Sequence, residues 1–457
     1  KKHLPELYAT LELFTGKTPA PQRQKLWQNA DVVFSTPQCV GNDLKNNLYN
    51  LENVSLLIED EAHRCLKNYS YTYVANAYKE QSSNPHILGL TASPGSDKKI
   101  IKEICTNLGI EKIEVRTRDS EDVKEYLQDL EFEVVKLDFP QELDKIRKSI
   151  KIIYDKKIEE LRKRKLLFPP ITKKTLLETQ RRIMRAISTG NKNMNLFAGA
   201  SACAQTIKLS HLLELLETQT LYSTNLYIQD LIKQGEAHQS KAASQLIKKP
   251  EFVFADQEIK KLIQNNQEHP KLIKLKEIVE QEIKANNKSK IIVFSQYRDT
   301  VTRICRELNH IPNIKAKVFV GQAKKSRTGK QGEQEQTGLS QKEQQEIIRE
   351  FSKGEINLIA CTSIGEEGLD LPEVNAVIFY EPIPSAIRTI QRRGRTARLM
   401  PGKLIILLTK ATRDESYYWA AFHKEKRMYK ALENISEELE NDLKENNHNN
   451  TKQKSLF

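Results

Sequence analysis

A short apolar segment that ends in acidic residues constrains the fold of this chain more than any other feature. Residues 54–58 are mostly apolar, and the run Glu59-Asp60-Glu61-Ala62-His63 follows them. A buried parallel strand delivers acidic side chains in this way to the carboxyl edge of an α/β sheet, where nucleotides bind. At such an edge Asp60 would hold Mg²⁺, usually through water, and Glu61 would orient or deprotonate an attacking water. The alternative is a strand followed by a solvated acidic turn.

The strand and helix patterns divide the chain into four parts. Apolar strand candidates alternate with helical patterns in residues 1–138 and again in residues 286–430, which predicts parallel sheets with crossover helices. Residues 139–285 show apolar residues at helical spacing and few strand signals. Residues 431–457 form a polar tail. The predicted fold class is therefore α/β, with two parallel-sheet domains separated by a helical insertion domain.

The charge of the chain favours a polyanionic partner, with nucleic acid first. The 457 residues carry a net charge of +13, and residues 145–185 contain fifteen basic and four acidic residues, a net +11. Basic surfaces of this kind bind phosphate backbones without reading the sequence. A solvated helix face is the alternative interpretation of the basic stretch.

The cysteines and the apolar runs indicate an intracellular protein. The six cysteines are scattered and form no C-x-x-C pattern for a metal or redox site. Such usage is typical of a reducing compartment, so we expect a cytoplasmic location. The chain has no run of 18 apolar residues and no signal peptide. It begins with Lys1 rather than Met, from which we expect a piece of something longer.

Hydroxyl residues follow the strand candidate at residues 86–90. The run Thr91-Ala92-Ser93 stands where hydroxyls could bridge the acidic pair to the next element of the same sheet. A plain turn or a helix cap is the alternative.

Residues 391–398 read Q-R-R-G-R-T-A-R and place arginines at every third position. If this run is helical, Arg392, Arg395 and Arg398 share one face. Guanidinium groups on one face would suit the charge that develops on a transferred phosphoryl group. The alternative is a basic, solvated helix.

Residues 361–370 read C-T-S-I-G-E-E-G-L-D and follow another apolar strand candidate. Hydroxyl donors and two glycines would allow backbone amides to approach a phosphate or a ribose closely. Asp370 could accept a hydrogen bond from a ribose hydroxyl or orient an arginine. The alternative is a glycine-rich loop without a function.

The run Gly16-Lys17-Thr18 is not interpreted as a phosphate loop. The pattern G-x-x-x-x-G-K-[S/T] needs a glycine where Leu11 stands, a strand before it and a helix after it. Residues 4–14 have helical or mixed spacing, and Pro19 and Pro21 follow. We therefore expect a surface turn, and a chain that has the metal and water side of an ATPase site without the lysine-bearing phosphate cradle.

Together these motifs resemble those of superfamily 2 helicases, specifically the archaeal Hef helicase and its eukaryotic relative FANCM. The resemblance covers about residues 8–430. It is carried by I-E-D-E-A-H-R at 58–64, G-L-T-A-S-P-G-S at 89–96, V-F-S-Q-Y-R-D-T at 293–300, I-G-E-E-G-L-D at 364–370 and the run at 391–398. It implies two RecA-like domains with ATP between them, and a helical insertion that grips duplex or branched nucleic acid.

The resemblance also implies a role for each motif. Asp60 and Glu61, with His63 in the same motif, would handle Mg²⁺ and water, and Thr91 and Ser93 would couple hydrolysis to movement. Gln391, Arg395 and Arg398 would face the γ-phosphate, and the nucleotide would also be bound by Gly368, Asp370 and Arg392. The residues implied for nucleic-acid contact are Thr36, Pro37, Gln38, Thr362, Arg162, Lys163 and Arg164.

The expected activity is ATP- and Mg²⁺-dependent movement on forked or branched DNA, in repair or replication-fork restart, without sequence readout and without a membrane partner. The first helicase motif is missing from the 457 residues, so this chain alone is expected to be inactive. No nuclease activity is expected, because the chain ends in a polar tail. The alternatives are a non-catalytic nucleic-acid-binding module and a duplex-RNA helicase.

Overall fold

Every strand pair among the described residues is parallel, as the alternation of strands and helices predicts. The computed structural model describes residues 9–118, 120–190, 193–322, 338–363, 371–394, 396 and 401–454, except for the side chains of residues 386, 391, 393 and 442–454. The described residues form two compact units. The first takes residues from 9–120, 385–390 and 421–454, and the second takes residues from 121–384 and 391–420.

The elements follow one another in an alternating order. Up to residue 120 they are β1 (Leu11–Phe14), α1 (Ala20–Trp27), β2 (Val32–Ser35), α2 (Pro37–Lys45), β3 (Leu57–Asp60), a 3-10 helix (Ala62–Arg64), α3 (Ser70–Gln81), β4 (Ile87–Leu90) and α4 (Lys98–Leu108). From residue 121 they are α5 (Glu121–Lys124), β5 (Leu130–Leu137), α6 (Gln141–Lys163), α7 (Lys173–Ser188), α8 (Met194–Thr218), α9 (Leu221–Glu236), α10 (Lys241–Leu246), α11 (Pro250–Gln264), α12 (Pro270–Ala285), β6 (Ile291–Phe294), α13 (Arg298–Leu308), β7 (Ala316–Phe319), α14 (Gln341–Lys353), β8 (Leu358–Cys361), β9 (Ala376–Phe379), α15 (Ala386–Arg393), β10 (Gly402–Thr409) and α16 (Arg413–Lys454).

The second unit is built on a six-stranded sheet with the strand order β5-β10-β9-β6-β8-β7. Successive residues of β6 enter different cores, because side chains alternate between the faces of a strand. Ile291 and Val293 belong to one apolar cluster, and Ile292 and Phe294 belong to another. All four residues are fully buried, so β6 in the middle of the sheet is covered on both faces, as is usual for parallel sheets.

Strand β5 lies in a different sheet from the one that the sequence pattern suggests. Residues up to 138 were expected in the first α/β domain, but β5 pairs along its whole length with β10, from Leu130 opposite Gly402 to Leu137 opposite Thr409. The eight residues of β5 therefore form the edge of the sheet in the second unit. The remaining domain boundaries, at 285 and 430, stay predictions.

The helical insertion is a bundle with two apolar clusters. Leu209, Leu212, Leu213 and Leu216 of α8, whose spacing predicted a helix, are all buried in the larger cluster. That cluster also takes residues from α6, α9 and α11. The smaller cluster joins the end of α6 to α7 and the first turns of α8, and it includes Leu161, Ile183 and Ala202. The insertion is thus helical, as expected.

In the first unit, the described strands form two pairs, β1 with β2 and β3 with β4. One side of the β3–β4 pair packs on an apolar cluster that contains Cys65, Ala75 and Ile104. Ile58 and Leu88 point to the other side and are 53% and 44% exposed. Among the described residues, this pair of strands is therefore well covered on one face only.

The polar tail expected from residue 431 continues a helix. Helix α16 runs from Arg413 to Lys454, and its residues Met428, Leu432 and Ile435 pack against Ile101 of α4 within the first unit. The described residues include no helix with the length and apolar character needed to cross a membrane.

Candidate active site

The acidic motif and the hydroxyl motif lie at the carboxyl ends of adjacent strands. Strands β3 and β4 are paired in register from Leu57 opposite Ile87 to Asp60 opposite Leu90. Thr91 follows Leu90 directly, so it emerges beside the acidic pair. The two motifs thus follow neighbouring strands of one sheet, as the sequence predicted. This edge of a parallel sheet is where α/β proteins bind their ligands.

Glu61 turns the chain sharply at the end of β3. Its φ of 56° lies in the left-handed region, which is uncommon for a residue other than glycine, and strained backbone of this kind is concentrated at functional sites. The Glu61 amide donates to Oδ1 of Asp60 at 2.9 Å. The 3-10 helix that follows brings the ring of His63 back over the strand end.

His63 connects the two motifs. Its Nδ1 lies 3.2 Å from Oε2 of Glu61 and 3.0 Å from Oγ1 of Thr91. The side chain of His63 is only 13% exposed, so the ring is held between the two groups rather than in solvent. A change at the carboxylate can therefore reach the hydroxyl motif through one imidazole ring.

Ser93 faces helix α16 instead of solvent. Its amide donates to Oγ1 of Thr91 at 3.2 Å, and its hydroxyl donates to Sδ of Met428 at 3.0 Å. Ser93 is 1% exposed. Lys98 and Lys102 of α4 reinforce the attachment of α16 through ion pairs with Glu438 at 2.8 and 2.6 Å. The sequence carried no signal for this contact, because Met428 stands 335 positions after Ser93.

Glu59 and Asp60 are adjacent in sequence but differ in environment. Asp60 is exposed at the strand end, whereas Glu59 points into the unit and is 4% exposed. Burial raises the pKa of Glu59 to about 8. Glu59 is therefore protonated near neutral pH and is not a ligand for a cation. Sequence reasoning overlooked this carboxyl group, although the two-residue period of a strand separates it from Asp60.

A magnesium ion fits the donor set at the end of β3. Mg²⁺ in nucleotide enzymes is usually bound by one or two carboxylates together with water and substrate phosphates. Asp60 offers such a carboxylate in an exposed position. The part of the chain that the structure describes contains no group of three or more His, Cys, Asp and Glu side chains that would form an all-protein metal site. Asp60 would thus hold the ion together with the nucleotide.

The nucleic-acid residues expected in the first unit lie at the start of α2. Thr36 is the N-cap residue, Pro37 is the first helical residue, and Nε2 of Gln38 donates to the hydroxyl of Tyr69 at 3.3 Å. Thr36 and Gln38 are exposed.

A buried ion pair supports this helix. Nε of Arg23 donates to Asp43 at 2.7 Å, and Nη1 of Arg23 donates to the carbonyl of Thr18. The salt bridge joins α1 to α2 and to the turn after β1, and Arg23 and Asp43 are only 8% and 1% exposed. The elements that flank the expected nucleic-acid contacts are therefore held together by buried charges.

The flanks of Gly16-Lys17-Thr18 differ from the expectation, although the turn itself is present. Strand β1 precedes the turn and α1 follows it, because Pro19 is the N-cap and the prolines stand in the first turn, where they are tolerated. The amide of Thr18 donates to the carbonyl of Thr15 at 3.0 Å. Leu11 still occupies the position of the first glycine, so the phosphate-loop pattern is not met.

Several expected site residues of the second unit cannot be placed. Gly368, Asp370, Arg395 and Arg398 lie outside the described residues, as does the side chain of Gln391. Thr362 follows β8 and is 8% exposed, and its amide donates to the carbonyl of Phe319 at 3.3 Å. Its role in nucleic-acid contact stays a prediction.

Arg392 lies in the core of the second unit. The side chain is fully buried, with its guanidinium carbon 4.8 Å from the ring centroid of Phe294 and 5.5 Å from that of Phe379. The expected contact of Arg392 with a nucleotide therefore stays a prediction. Among the described residues, α15 ends at Arg393 and Thr396 pairs with Val374 in a parallel bridge, so whether Arg392 shares a helical face with Arg395 and Arg398 stays a prediction.

The basic residues at the end of α6 have different environments. Lys163 is paired with Glu159 at 2.8 Å. Arg164 binds Glu160 at 3.1 Å and Asn195 at 2.9 Å, and it is partly buried. Arg162 is exposed. Only part of the predicted basic cluster thus presents its charge to solvent, and its role in binding nucleic acid stays a prediction.

Comparison with known proteins places this geometry in a family. The DEAD/DEAH box helicase model matches residues 2–101, the helical bundle model of ATP-dependent RNA helicases matches residues 142–269, and the helicase conserved C-terminal domain model matches residues 271–400. The crystal structure of the Pyrococcus furiosus Hef helicase domain superposes with a TM-score of 0.66 at 42% identity, covering 90% of this chain and 82% of that chain. The chain belongs to the Hef family of helicases. The RecA-like nature of both sheet domains and the helical insertion are thereby confirmed.

Two curated relatives of this Hef-family chain carry different descriptions. A protein of Methanocaldococcus jannaschii described as an ATP-dependent RNA helicase is 37% identical over 423 residues, which are 92% of this chain and 51% of the relative. A protein of Sclerotinia sclerotiorum described as an ATP-dependent DNA helicase is 32% identical over 428 residues, which are 89% of this chain and 34% of the relative. The chain spans about half or less of the length of these relatives.

Proposed function

We propose that this Hef-family protein is an ATP-dependent helicase or translocase that acts on forked or branched DNA in repair or replication-fork restart. The single observation that carries the proposal is the contact of His63 with Glu61 and Thr91 at the ends of β3 and β4. It connects the acidic motif of an ATPase to the motif that follows the next strand. A solvated acidic turn would have no reason to hold these groups together.

The described residues have distinct tasks in this proposal. Asp60 holds the magnesium ion of the bound nucleotide, and Glu61 orients and deprotonates the attacking water. The bound ion supplies positive charge that neutralises the developing negative charge on the phosphates. His63 keeps Glu61 and the Thr91 hydroxyl in fixed relation. Gln391, Arg395 and Arg398 are proposed to face the γ-phosphate, and Gly368 and Asp370 to bind the nucleotide.

DNA is the favoured substrate because one of the two relatives above and the wider Hef resemblance point to it. The basic residues of the bundle support a phosphate-backbone contact, which would be independent of sequence and sensitive to salt. A duplex-RNA helicase is the second candidate, because the other relative is described as an RNA helicase. A non-catalytic nucleic-acid-binding module is the third.

The decisive experiment measures ATP hydrolysis by the full-length gene product with forked DNA, single-stranded DNA and duplex RNA of equal length. We expect the strongest stimulation by the fork, and a loss of hydrolysis with retained DNA binding in Glu61→Gln. Stimulation by RNA alone would identify the duplex-RNA helicase. DNA binding without hydrolysis would identify the binding module. The 457-residue chain alone should not hydrolyse ATP, because its sequence has no G-x-x-x-x-G-K-[S/T] pattern.

A further inference from the structure

One buried carboxylate in the second unit is shared by the basic part of the bundle and by two segments of the sheet domain. Glu214 lies on α8 and is 5% exposed. Its Oε2 accepts from Nζ of Lys173 at 3.1 Å, and its Oε1 accepts from the hydroxyl of Tyr417 at 3.3 Å. His211, one turn earlier on α8, places Nδ1 3.8 Å from the same carboxylate, and its ring centroid lies 5.5 Å from that of Tyr297, whose hydroxyl interacts electrostatically with Glu214.

These partners come from functionally different parts of the protein. Lys173 is the first residue of α7, the helix that also carries Arg181, Arg182 and Arg185 of the basic stretch. Tyr297 belongs to the 293–300 segment that resembles a helicase motif, and Tyr417 lies on α16. Glu214 is therefore the point where the basic helix of the insertion is connected to the sheet domain of the same unit.

The charge of Glu214 is maintained by its neighbours. Burial alone would raise the pKa of this carboxyl group, but the nearby ring of His211 and the positive charges of Lys173 and Arg413 outweigh burial, and the pKa falls to about 2. Glu214 is thus a carboxylate at every pH at which the protein works. A buried charge whose partners come from several helices fixes their relative orientation, because any shift leaves a charge without its partner.

Other contacts between the bundle and the sheet domain of this unit are also polar, and two of them are buried. Ser295 donates to Oε1 of Gln219 at 3.2 Å, and the hydroxyls of Ser223 and Thr300 are 3.0 Å apart. The Arg413 amide donates to Glu217 at 3.2 Å. Directional hydrogen bonds define one orientation of the bundle on the sheet domain more strictly than apolar packing does.

We propose that Glu214 is a positioning residue that couples the grip of the bundle on DNA to the movement of the motor. The proposal rests on the proposed function. Glu214 touches neither nucleotide nor DNA in it; it holds α7 at a fixed angle to the 293–300 segment and α16. Movement of the sheet domain is then transmitted to α7, because α7 cannot rotate relative to that domain.

The test compares Glu214→Gln with wild type in the full-length protein on forked DNA. We expect ATP hydrolysis at saturating fork to change by less than about twofold, and strand separation to fall by about tenfold, the effect of losing one set of charge-assisted hydrogen bonds. Tyr417→Phe removes one hydroxyl and keeps the charge pair, so it should show the same pattern with a smaller loss. Glu178→Gln, which alters an exposed pair with Lys174 at 3.9 Å, is the matched control and should change neither rate.

A second measurement tests the positioning without relying on activity. Spin labels at two exposed sites, Ser188 at the end of α7 and Arg306 on α13, report the orientation of the bundle through their distance distribution. We expect a narrow distribution in wild type and a broader one in Glu214→Gln. An unchanged distribution, or parallel losses of hydrolysis and strand separation in a folded variant, would overturn the role of Glu214. Absence of fork-stimulated hydrolysis in wild type would instead overturn the proposed function, while the distance measurement would still decide on Glu214.

Discussion

Nδ1 of His63 lies 3.0 Å from Oγ1 of Thr91, and this contact joins the ends of two neighbouring parallel strands. The same ring nitrogen is 3.2 Å from the Glu61 carboxylate. The imidazole therefore lies between Glu61, which is proposed to act on water, and Thr91, whose motif is proposed to couple hydrolysis to movement. Removing the ring or the hydroxyl interrupts the same connection.

We predict that His63→Ala and Thr91→Ala each lower fork-stimulated strand separation by about tenfold, and that the double variant is no worse than the single ones, because contacting residues are not additive. The measurement is strand separation on a labelled fork, with ATP hydrolysis recorded in parallel. His86→Ala is the control, since the ring of His86 is exposed and its Nδ1 lies 3.1 Å from the nearby carbonyl of Asn84, away from the two motifs. Additive losses would show that His63 and Thr91 act separately.

The end of α6 offers a test of the nucleic-acid surface. We predict that Arg162→Gln lowers the salt dependence of DNA binding by about 0.9 in the slope of log K against log salt, as expected for the loss of one phosphate contact. Arg164→Gln should have a smaller effect, because Arg164 is bound to Glu160 and Asn195. Binding to a duplex at several salt concentrations gives both slopes. Equal slopes for the two variants and wild type would exclude this region as a DNA contact.

Glu59 predicts a pH dependence of stability. Its folded pKa of about 8 is above the ordinary value of 4.5, so the folded state retains a proton that the unfolded state loses. The contribution of this proton to the free energy of unfolding is complete below pH 4.5 and is lost as the pH rises through about 8. Glu59→Gln keeps the shape without the titration, so it should be more stable than wild type at pH 8 by about 1–3 kcal/mol.

Urea unfolding between pH 5 and 9, about the range over which this proton is lost, measures the effect of Glu59. The difference in the free energy of unfolding between Glu59→Gln and wild type should grow with pH. Glu52→Gln is the control, because Glu52 is exposed in the loop before β3. A difference that stays constant with pH would mean that Glu59 does not titrate in this range.

A buried ion pair links α12 to α16 in the second unit. Nζ of Lys271 lies 2.7 Å from Oδ2 of Asp414, both side chains are fully buried, and Asp414 also accepts from the amide of Thr409 at 3.0 Å. Lys271→Met should destabilise the protein by about 3–5 kcal/mol, because Asp414 is left as an uncompensated buried charge. Lys271→Met with Asp414→Asn should recover part of this loss, since the amide oxygen can still accept from Thr409.

Urea unfolding at neutral pH measures the effect of this pair. Lys274→Met is the matched control, because Lys274 forms a solvent-accessible pair with Glu277 at 2.9 Å on the same helix, and its loss should cost less than about 1 kcal/mol. If Lys271→Met costs no more than Lys274→Met, the buried pair does not contribute to stability.

The elements that the sequence predicted well are those whose signal is local. The strand before Asp60, the hydroxyl motif after the next strand and the helical spacing of α8 each depend on neighbouring residues in the chain. Parallel strands place such ends at one edge, so the meeting of the acidic motif with Thr91 followed from strand order. Glu61 and His63 were likewise in the expected place, although their contact distances required the fold.

Elements whose partners are distant in the chain were not predicted. The residue pattern of strand β5 would be the same if β5 paired with an early strand or with β10, because the residues of a strand do not specify which strand lies beside it. Arg392 sits in a basic run that suggests a solvent-facing helix, yet Phe294 and Phe379 enclose it. The flanks of Gly16-Lys17-Thr18 were misjudged because strand β1 is only four residues long and is defined by its pairing with β2.

The sequence by itself determined the alternation of strands and helices, the order of the motifs and the family, since these are carried by residue type and short spacing. Tertiary structure alone decided which carboxyl groups are charged at the surface and which are enclosed. Glu59 and Asp60 differ by one position, and Glu214 finds its partners on α7 and α16, far away in the chain. The physical reason is that burial and charge pairing depend on what packs against a side chain from all directions, and a sequence specifies only its neighbours along the chain.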